Sequence, residues 1–173
     1  MTEVVLTRID DRFIHGQVVT KWLQYVSGCD EILICDDAMR QDAFLQMVME
    51  MAAPPGVKVR VYSLDETIHA FEEMGIEDRR RMMILLRNPG GALRLIEGKV
   101  PIRELNVGGM GAGPGRKPLY KNISASSEEL STFEAIERKG IKVGFRVVPD
   151  ADPGIDLVGL LKGRRWSLSR RIE

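Results

Sequence analysis

Short apolar runs alternate with segments of helical periodicity along most of this chain. Uninterrupted apolar runs are typical of buried strands, whereas apolar residues three and four positions apart are typical of amphipathic helices. On this basis we predict six main strands, at residues 4–9, 31–37, 57–62, 82–86, 102–107 and 141–148. A further short strand is predicted at residues 121–125.

The segments between these strands are predicted to be helices, and two of them begin with a recognisable signal. Ser63 with Glu66, and Ser126 with Glu129, have the spacing of a capping box. In chain order the predicted helices are residues 18–26, 44–51, 63–75, 89–97, 126–139 and 155–161, with glycines at 75 and 140 as stop signals.

Strands and helices that alternate in this way predict an α/β fold. The expected architecture is doubly wound, with a mostly parallel sheet and helices on both faces. The direction of the last strand is left open, with an antiparallel strand as the alternative to a parallel one. A length of 173 residues with 44% hydrophobic residues suits one domain over residues 1–173. In such sheets ligands bind beyond the carboxyl ends of the strands, so the loops after the first, second and fifth strands are expected to converge on one site.

The composition argues against several classes of function. Lys plus Arg and Asp plus Glu both number 25, so the overall charge does not indicate nucleic-acid binding. No apolar window approaches the ~18 residues of a membrane span, and a strand is predicted where a signal sequence would lie, so we expect a cytoplasmic protein. Cys29 and Cys35 fit neither a disulfide framework nor a zinc pattern, and we expect two reduced, packed thiols.

A charged loop between the first strand and the first helix ends in His15. If His15 stands in the first turn of the helix, its ring lies beside unpaired backbone N–H groups that favour an anion. Arg8 and Arg12 disfavour the positively charged ring, so a neutral imidazole is available as a nucleophile. Asp10 or Asp11 could accept a hydrogen bond from one ring nitrogen and leave the other free to react.

Residues beside the histidine suit the binding of a phosphoryl group. The planar guanidinium group of Arg12 can hold phosphate oxygens through two parallel hydrogen bonds. Gly16 and Gln17 leave the backbone open to close approach. Together these residues predict a phosphoryl-accepting histidine at position 15, and the alternative interpretation is an ordinary loop or core histidine without a catalytic role.

Two other polar motifs are weaker candidates for chemistry. The glycine-rich stretch at 108–118 matches neither the G-x-G-x-x-G nor the P-loop spacing, and it predicts a mobile loop whose Arg116 and Lys117 could contact a phosphoryl group or a partner. The acidic pairs at 10–11 and 36–37 could hold Mg²⁺, but two arginines flank the first pair and the second pair suits a helix cap. No metal site is therefore predicted.

Three further features are predicted to be structural. His69 lies inside a predicted amphipathic helix and is expected to pack at a partly exposed position. Trp22 lies on the apolar stripe of the first helix and is expected in the core. The basic tail at residues 162–173 is expected to be solvated, with contact to a membrane surface or a partner as the alternative.

Five stretches of the chain resemble one known family. They are RIDDRFIHGQVVTKW, ICDDA, MAAPPGVKV, PIRELNVGGM and ERKGIKV, and they are similar to the IIB component of the bacterial phosphoenolpyruvate-dependent sugar phosphotransferase system, in its mannose/fructose/sorbose family. The resemblance covers nearly the whole chain and implies a protein-phosphohistidine–sugar phosphotransferase that needs no cofactor. It implies that His15 accepts a phosphoryl group on Nδ1 from the IIA component. The group then passes to a sugar that enters through the membrane components IIC and IID, so we expect peripheral association with the membrane permease.

The resemblance also implies roles for individual residues. His15 matches the phosphorylated histidine, Arg12 matches a basic residue of the active-site loop and Asp10 matches the acid that orders it. These three are assigned to catalysis. Arg8 also matches a basic residue of that loop, and Gln17, Gly108 and Gly109 are weaker matches. Phosphate binding is assigned to Arg8, Gly16, Gln17, Gly108 and Gly109.

Residues 111–115 depart from the family pattern, because glycines, an alanine and a proline intervene before Arg116 and Lys117. This departure leaves the role of those two cations open, and it is compatible with a different partner surface or sugar branch. The sequence also leaves open whether the chain forms a homo-oligomer. The alternative functions are a regulatory module that senses a phosphorylated partner without sugar transfer, and a receiver-like domain phosphorylated on aspartate.

Overall fold

The chain folds around one large sheet whose strands alternate with helices. The structure is a computed structural model and describes residues 2–74 and 78–169, with side chains up to residue 163. In chain order the strands are β1 (Glu3–Asp10), β2 (Glu31–Cys35), β3 (Lys58–Tyr62), β4 (Arg81–Leu86), β5 (Glu104–Gly109), β6 (Lys117–Tyr120), β7 (Ile123–Ala125), β8 (Lys142–Phe145) and β9 (Ile155–Asp156). The helices are α1 (Leu23–Val26), which continues a π-helical turn at Val18–Trp22, α2 (Asp37–Arg40), α3 (Ala43–Met51), α4 (Leu64–Glu73), α5 (Pro89–Glu97), α6 (Ser127–Arg138) and α7 (Leu157–Ser169).

The strand order of the large sheet is β3-β2-β4-β1-β5-β8-β9. Neighbouring strands are parallel throughout, except that β9 runs antiparallel to β8. The predicted α/β class and the mostly parallel sheet are confirmed. The last strand of the sheet is antiparallel, as allowed for, but it is β9; the strand predicted at 141–148 corresponds to β8, which is parallel to β5. Because β1 lies between β4 and β5, the loop that follows β1 emerges from the middle of the sheet.

Apolar side chains pack on both faces of this sheet. Met82, Ile84 and Leu86 of β4 belong to one core cluster, whereas Met83 and Leu85 belong to the other. The first cluster includes side chains of α5 and α6, and the second includes side chains of the π-helical turn and α2. The uninterrupted apolar run of β4 therefore reflects burial on two sides, and the predicted helices on both faces are confirmed.

Several helix ends follow the local signals in the sequence. Ser63 and Ser126 begin α4 and α6 with complete capping boxes, as predicted. Gly140 follows the end of α6 with a φ of +84°, a left-handed conformation that glycine adopts without steric cost. The predicted stop signal at residue 75 lies outside the described residues.

The glycine-rich stretch differs from the predicted loop at both of its ends. β5 continues to Gly109 because the chain still pairs with β1 there. Met110 is fully buried, and β6 and β7 form an antiparallel hairpin that begins at Lys117. The loop is therefore confined to residues 111–116.

The predicted helix at 155–161 is wrong at its beginning. Residues 155 and 156 form β9 against the end of β8, and α7 begins at Leu157. A two-residue edge strand is too short to show a periodicity of its own, so the sequence pattern could not reveal it. Within residues 2–74 and 78–169, no helix combines the length and hydropathy that a membrane span requires.

Candidate active site

The loop after β1 carries the predicted histidine. Phe13 has a left-handed φ of +55°, and its backbone N–H donates to the carbonyl of Asp10 at 2.9 Å, so the chain turns sharply at this point. The ring of Phe13 is buried in the core, which anchors the turn. His15 lies two residues after Phe13 and a helical turn begins at Gly16, so His15 stands at the start of the helix, as predicted.

His15 is hydrogen bonded to a buried carboxylate. Its Nε2 lies 2.8 Å from Oδ2 of Asp10, which is fully buried. An ionised carboxylate can only accept a hydrogen bond, so the proton is assigned to Nε2 and the lone pair of the neutral ring to Nδ1. Of the two acids that the sequence offered, the structure selects Asp10. Asp11 instead accepts the backbone N–H of Gly111 at 2.8 Å.

Asp10 also receives hydrogen bonds from two arginines. Nη2 of Arg8 donates to Oδ2 at 3.0 Å, and Nε of Arg12 donates to Oδ1 at 3.2 Å. Burial by itself would raise the pKa of Asp10, but the hydrogen bond from His15, the charge of Arg8 and the hydrogen bond from Arg12 outweigh it. The pKa of Asp10 therefore lies well below its ordinary range, and the carboxylate is a fixed negative charge beside His15.

Arg8 lies behind Asp10, away from solvent. Its side chain is fully buried, and its Nη1 and Nη2 groups donate to Asp10, to Asn106 and to the backbone carbonyls of Arg146 and Val147. Burial lowers the pKa of Arg8, and the charge of Asp10 opposes that shift. This placement makes Arg8 a support for Asp10 and not the direct phosphate contact predicted from the sequence.

Arg12, Gly16 and Gln17 lie on the solvent side of His15. The side chain of Arg12 is 49% exposed, that of His15 is 18% exposed, and Gly16 and Gln17 are exposed beside them. A Cβ added to Gly16 would have no neighbouring atom within 4 Å. The structure therefore brings a histidine, a guanidinium group and an open stretch of backbone together at one surface.

Gly108 and Gly109 lie on the buried side of the site. A Cβ at position 108 would lie 1.8 Å from the guanidinium carbon of Arg8, and one at position 109 would lie 2.5 Å from Oδ1 of Asp10. Both glycines are buried in β5. Their absent side chains make room for Arg8 and Asp10, which is a different role from the predicted phosphate binding.

Sequence reasoning missed two supporting residues. Asn106 accepts a hydrogen bond from Nη1 of Arg8 at 2.5 Å. Three of the six residues at 102–107 are polar, so the sequence pattern does not single out Asn106 for this role. Trp22 is buried as predicted, but its ring also lies under Arg8, with the guanidinium carbon 4.8 Å from the ring centroid. Nothing in the helical pattern distinguishes such a ring from ordinary core.

Three other candidate residues are engaged away from His15. Arg116 forms a two-pronged ion pair with Glu129 at 2.6 and 3.0 Å, which attaches the loop at 111–116 to the start of α6. Asp36 caps α2, as predicted for that pair. His69 is 70% exposed next to two glutamates, so its predicted packing role is wrong.

Neither thiol chemistry nor a metal cluster is evident in the part of the chain that the structure describes. Cys29 and Cys35 are free thiols, and burial raises the pKa of Cys35 to about 12. No group of three His, Cys, Asp or Glu side chains among the described residues could hold a metal ion. The arginines of the tail, at positions 164, 165, 170 and 171, lie outside the described side chains.

Known proteins resemble this chain over almost its full length. The family model of the sorbose subfamily IIB component of the phosphotransferase system (PTS) matches residues 4–171. The fructose-specific EIIB component of the PTS from Bacillus subtilis is 36% identical over 162 residues, which cover 94% of this chain and 98% of that protein. The mannose-specific EIIAB component from Escherichia coli K12 is 31% identical over 156 residues, which cover 90% of this chain and 47% of that protein. The crystal structure of the IIBSor domain of the sorbose permease from Klebsiella pneumoniae superposes with a TM-score of 0.86 at 34% identity, over 93% of this chain and 97% of that one.

These similarities are not confined to the histidine loop. Each of them covers at least 90% of this chain, and they agree with the family predicted from the sequence motifs. IIB components are proteins of the sugar phosphotransferase type. The chain therefore belongs to the IIB components of the phosphotransferase system, in the sorbose subfamily.

Proposed function

We propose that this protein is a phosphohistidine carrier, which accepts a phosphoryl group on Nδ1 of His15 and passes it to a sugar. The observation that carries the proposal is the 2.8 Å contact between Nε2 of His15 and the buried carboxylate of Asp10. Because the proton is held on Nε2, the nucleophilic lone pair lies on Nδ1.

The transfer step follows from this geometry. Nδ1 of His15 attacks the phosphorus atom as the bond to the donor nitrogen breaks, and the Nε2 proton stays in place. The ring gains positive character in this step, and the adjacent charge of Asp10 stabilises it. Arg12 and the backbone N–H groups at the start of the helix balance the negative charge of the phosphoryl oxygens.

The donor in this proposal is a phosphohistidine on a IIA component. The mannose-specific EIIAB relative supports a IIA partner, because its name joins the two components in one chain. The acceptor is a hydroxyl group of a sugar that arrives through the membrane components IIC and IID. The protein itself contributes position and charge, so no cofactor is required in the proposal.

Labelling from phosphoenolpyruvate tests the first half of this proposal. The wild-type chain, incubated with the general phosphocarriers and a cognate IIA component, is expected to acquire an acid-labile phosphoryl group. His15→Ala should abolish the label. His69→Ala is the matched control, because the chain contains only two histidines, and it should label normally. Label that persists in His15→Ala would overturn the proposal.

Vesicles that contain the IIC and IID components test the second half. Addition of the labelled protein and sugar should convert the phosphoryl group into sugar phosphate. A protein that is phosphorylated but forms no sugar phosphate in these vesicles would instead be the regulatory module. Label that requires Mg²⁺ on this chain and is lost on hydroxylamine treatment would identify a phosphorylated aspartate.

A further inference from the structure

The support for Arg8 includes a backbone segment that lies outside regular secondary structure. β8 ends at Phe145, and residues 146–154 form an irregular turn before β9. The carbonyl of Arg146 accepts from Nη1 of Arg8 at 3.1 Å, and that of Val147 accepts from Nη2 at 3.2 Å. Both carbonyls lie in the turn beyond β8. Groups other than the hydrogen bonds between strands must therefore fix their positions.

Asp152 holds this turn from the opposite side. Its carboxylate is fully buried, and Oδ2 accepts the backbone N–H of Val147 at 2.8 Å. That N–H belongs to the same peptide group as the Arg146 carbonyl. One peptide group thus bonds to Asp152 on one side and to Arg8 on the other.

Further donors converge on the carboxylate of Asp152. Oδ1 accepts from the hydroxyl of Tyr120 at 2.5 Å, from Nζ of Lys121 at 2.8 Å and from the backbone N–H of Gly154 at 3.1 Å. In each of these contacts the partner donates a hydrogen and the carboxylate of Asp152 accepts it. A carboxylate satisfies them all, whereas an amide would place its own N–H groups against at least one donor.

We propose that Asp152 is a positioning residue for phosphoryl transfer, acting on His15 through the peptide group at 146–147, Arg8 and Asp10. The inference rests on the proposed function. Each link is a hydrogen bond between buried or partly buried groups. Asp152 sets the position of the carbonyls that hold Arg8, Arg8 holds the carboxylate of Asp10, and Asp10 keeps the proton of His15 on Nε2.

A positioning role for Asp152 can be distinguished by experiment from a purely stabilising role. A purely structural residue would change the free energy of unfolding without changing the folded site. A positioning residue changes the distribution of the ring proton in the folded protein, because the hydrogen bond from Nε2 to Asp10 weakens when Arg8 shifts. The ring nitrogens of His15 therefore provide a specific readout.

Asp152→Asn is the direct test, with Asp150→Asn as the matched control. Asp150 lies in the same turn and also pairs with a lysine, Lys21, but both partners are about half exposed. In unphosphorylated protein labelled with ¹⁵N, Asp152→Asn is expected to increase the tautomer protonated on Nδ1. With phosphorylated IIA it should lower kcat about 10- to 100-fold, the range typical when a group that orients a functional side chain is lost, with a smaller change in KM. Asp150→Asn should match the wild type in both measurements.

A folded Asp152→Asn protein with the wild-type tautomer and kcat would overturn the inference. If that variant does not fold, Tyr120→Phe combined with Lys121→Met replaces it, since this pair removes both side-chain donors and keeps the carboxylate. An unchanged tautomer in the folded double variant would then overturn the inference. The tautomer measurement needs no phosphoryl donor, so it is independent of the proposed function, which fails if the wild type is not phosphorylated.

Discussion

The guanidinium group of Arg8 occupies the space that any side chain at Gly108 would need. A Cβ at position 108 would lie 1.8 Å from the central carbon of the guanidinium group and 1.8 Å from its Nη1. Arg8 is fully buried and bonded to Asp10, so it cannot move aside without losing those contacts. The absence of a side chain on β5 is therefore part of what places a carboxylate beside His15.

Gly108→Ala is expected to destabilise the protein and to slow phosphoryl transfer. The added methyl group overpacks a buried site, which typically costs about 1–3 kcal/mol, and it displaces the support of Asp10. Urea unfolding and single-turnover phosphorylation measure the two effects. Gly144→Ala on β8 is the control, because a Cβ there meets no atom within 4 Å. Equal stability of the two variants would contradict this account of Gly108.

Asp10→Asn is expected to slow phosphorylation of His15 roughly 10³- to 10⁴-fold, the scale seen when a catalytic histidine is held in the wrong tautomer. The amide can donate to Nε2, which shifts the ring proton to Nδ1 and removes the nucleophilic lone pair. Rapid-quench labelling and ¹⁵N spectra of the ring measure these changes. Asp11→Asn should have little effect, since its amide oxygen can still accept the N–H of Gly111. A normal rate in Asp10→Asn would show that the carboxylate does not control the ring.

Arg12→Ala is expected to slow transfer roughly 10²- to 10³-fold, as when one electrostatic donor to a transition state is lost. Arg12→Lys should recover part of the rate, because lysine keeps the positive charge. The recovery should be incomplete, because lysine lacks the planar guanidinium group that binds two oxygens at once. Arg94→Ala serves as the control, since Arg94 is a half-exposed arginine that pairs with Asp65 on a neighbouring helix. Steady-state kinetics with phosphorylated IIA provide the rates, and identical values for the two alanine variants would exclude the assigned role of Arg12.

Stability is expected to fall in acid because of two buried carboxylates. Burial would raise the pKa values of Asp10 and Asp152, but their hydrogen bonds and neighbouring charges hold both below the ordinary range. The folded state therefore binds fewer protons than the unfolded state. The stabilisation that the two ionised carboxylates give to the folded state is fully present above the ordinary aspartate pKa of about 3.9. This stabilisation is lost as the pH falls through that value toward the folded-state pKa.

Urea unfolding between about pH 3 and pH 7 measures this dependence. Asp152→Asn should give a shallower loss of stability with acid than the wild type. Asp150→Asn should change the pH dependence of the free energy of unfolding less than Asp152→Asn does. The reason is that the hydrogen bond from Lys21, which lowers the pKa of Asp150, is screened by solvent. Superimposable curves for wild type and Asp152→Asn would contradict the assignment of a lowered pKa to Asp152.

Much of the fold was predictable because its signals are local. The apolar run of β4 and the capping boxes at Ser63 and Ser126 each lie within a few consecutive residues. The glycine-rich stretch was misread because glycine is typical of loops, whereas Gly108 and Gly109 are strand residues that leave room for Arg8 and Asp10. That requirement comes from side chains about 100 positions away in the sequence, and no local pattern contains it.

The sequence by itself determined the fold class, the family and the group of residues around His15, because these depend on periodicity and on a motif within eight consecutive positions. Only the tertiary structure decided that Asp10 contacts Nε2 of the ring, that Asp11 is bonded to Gly111 instead, and that Arg8 is buried. The physical reason is distance along the chain. Apart from Asp10, the groups that accept hydrogen bonds from Arg8 lie 98 to 139 positions beyond it, and only the folded sheet brings them within hydrogen-bonding distance.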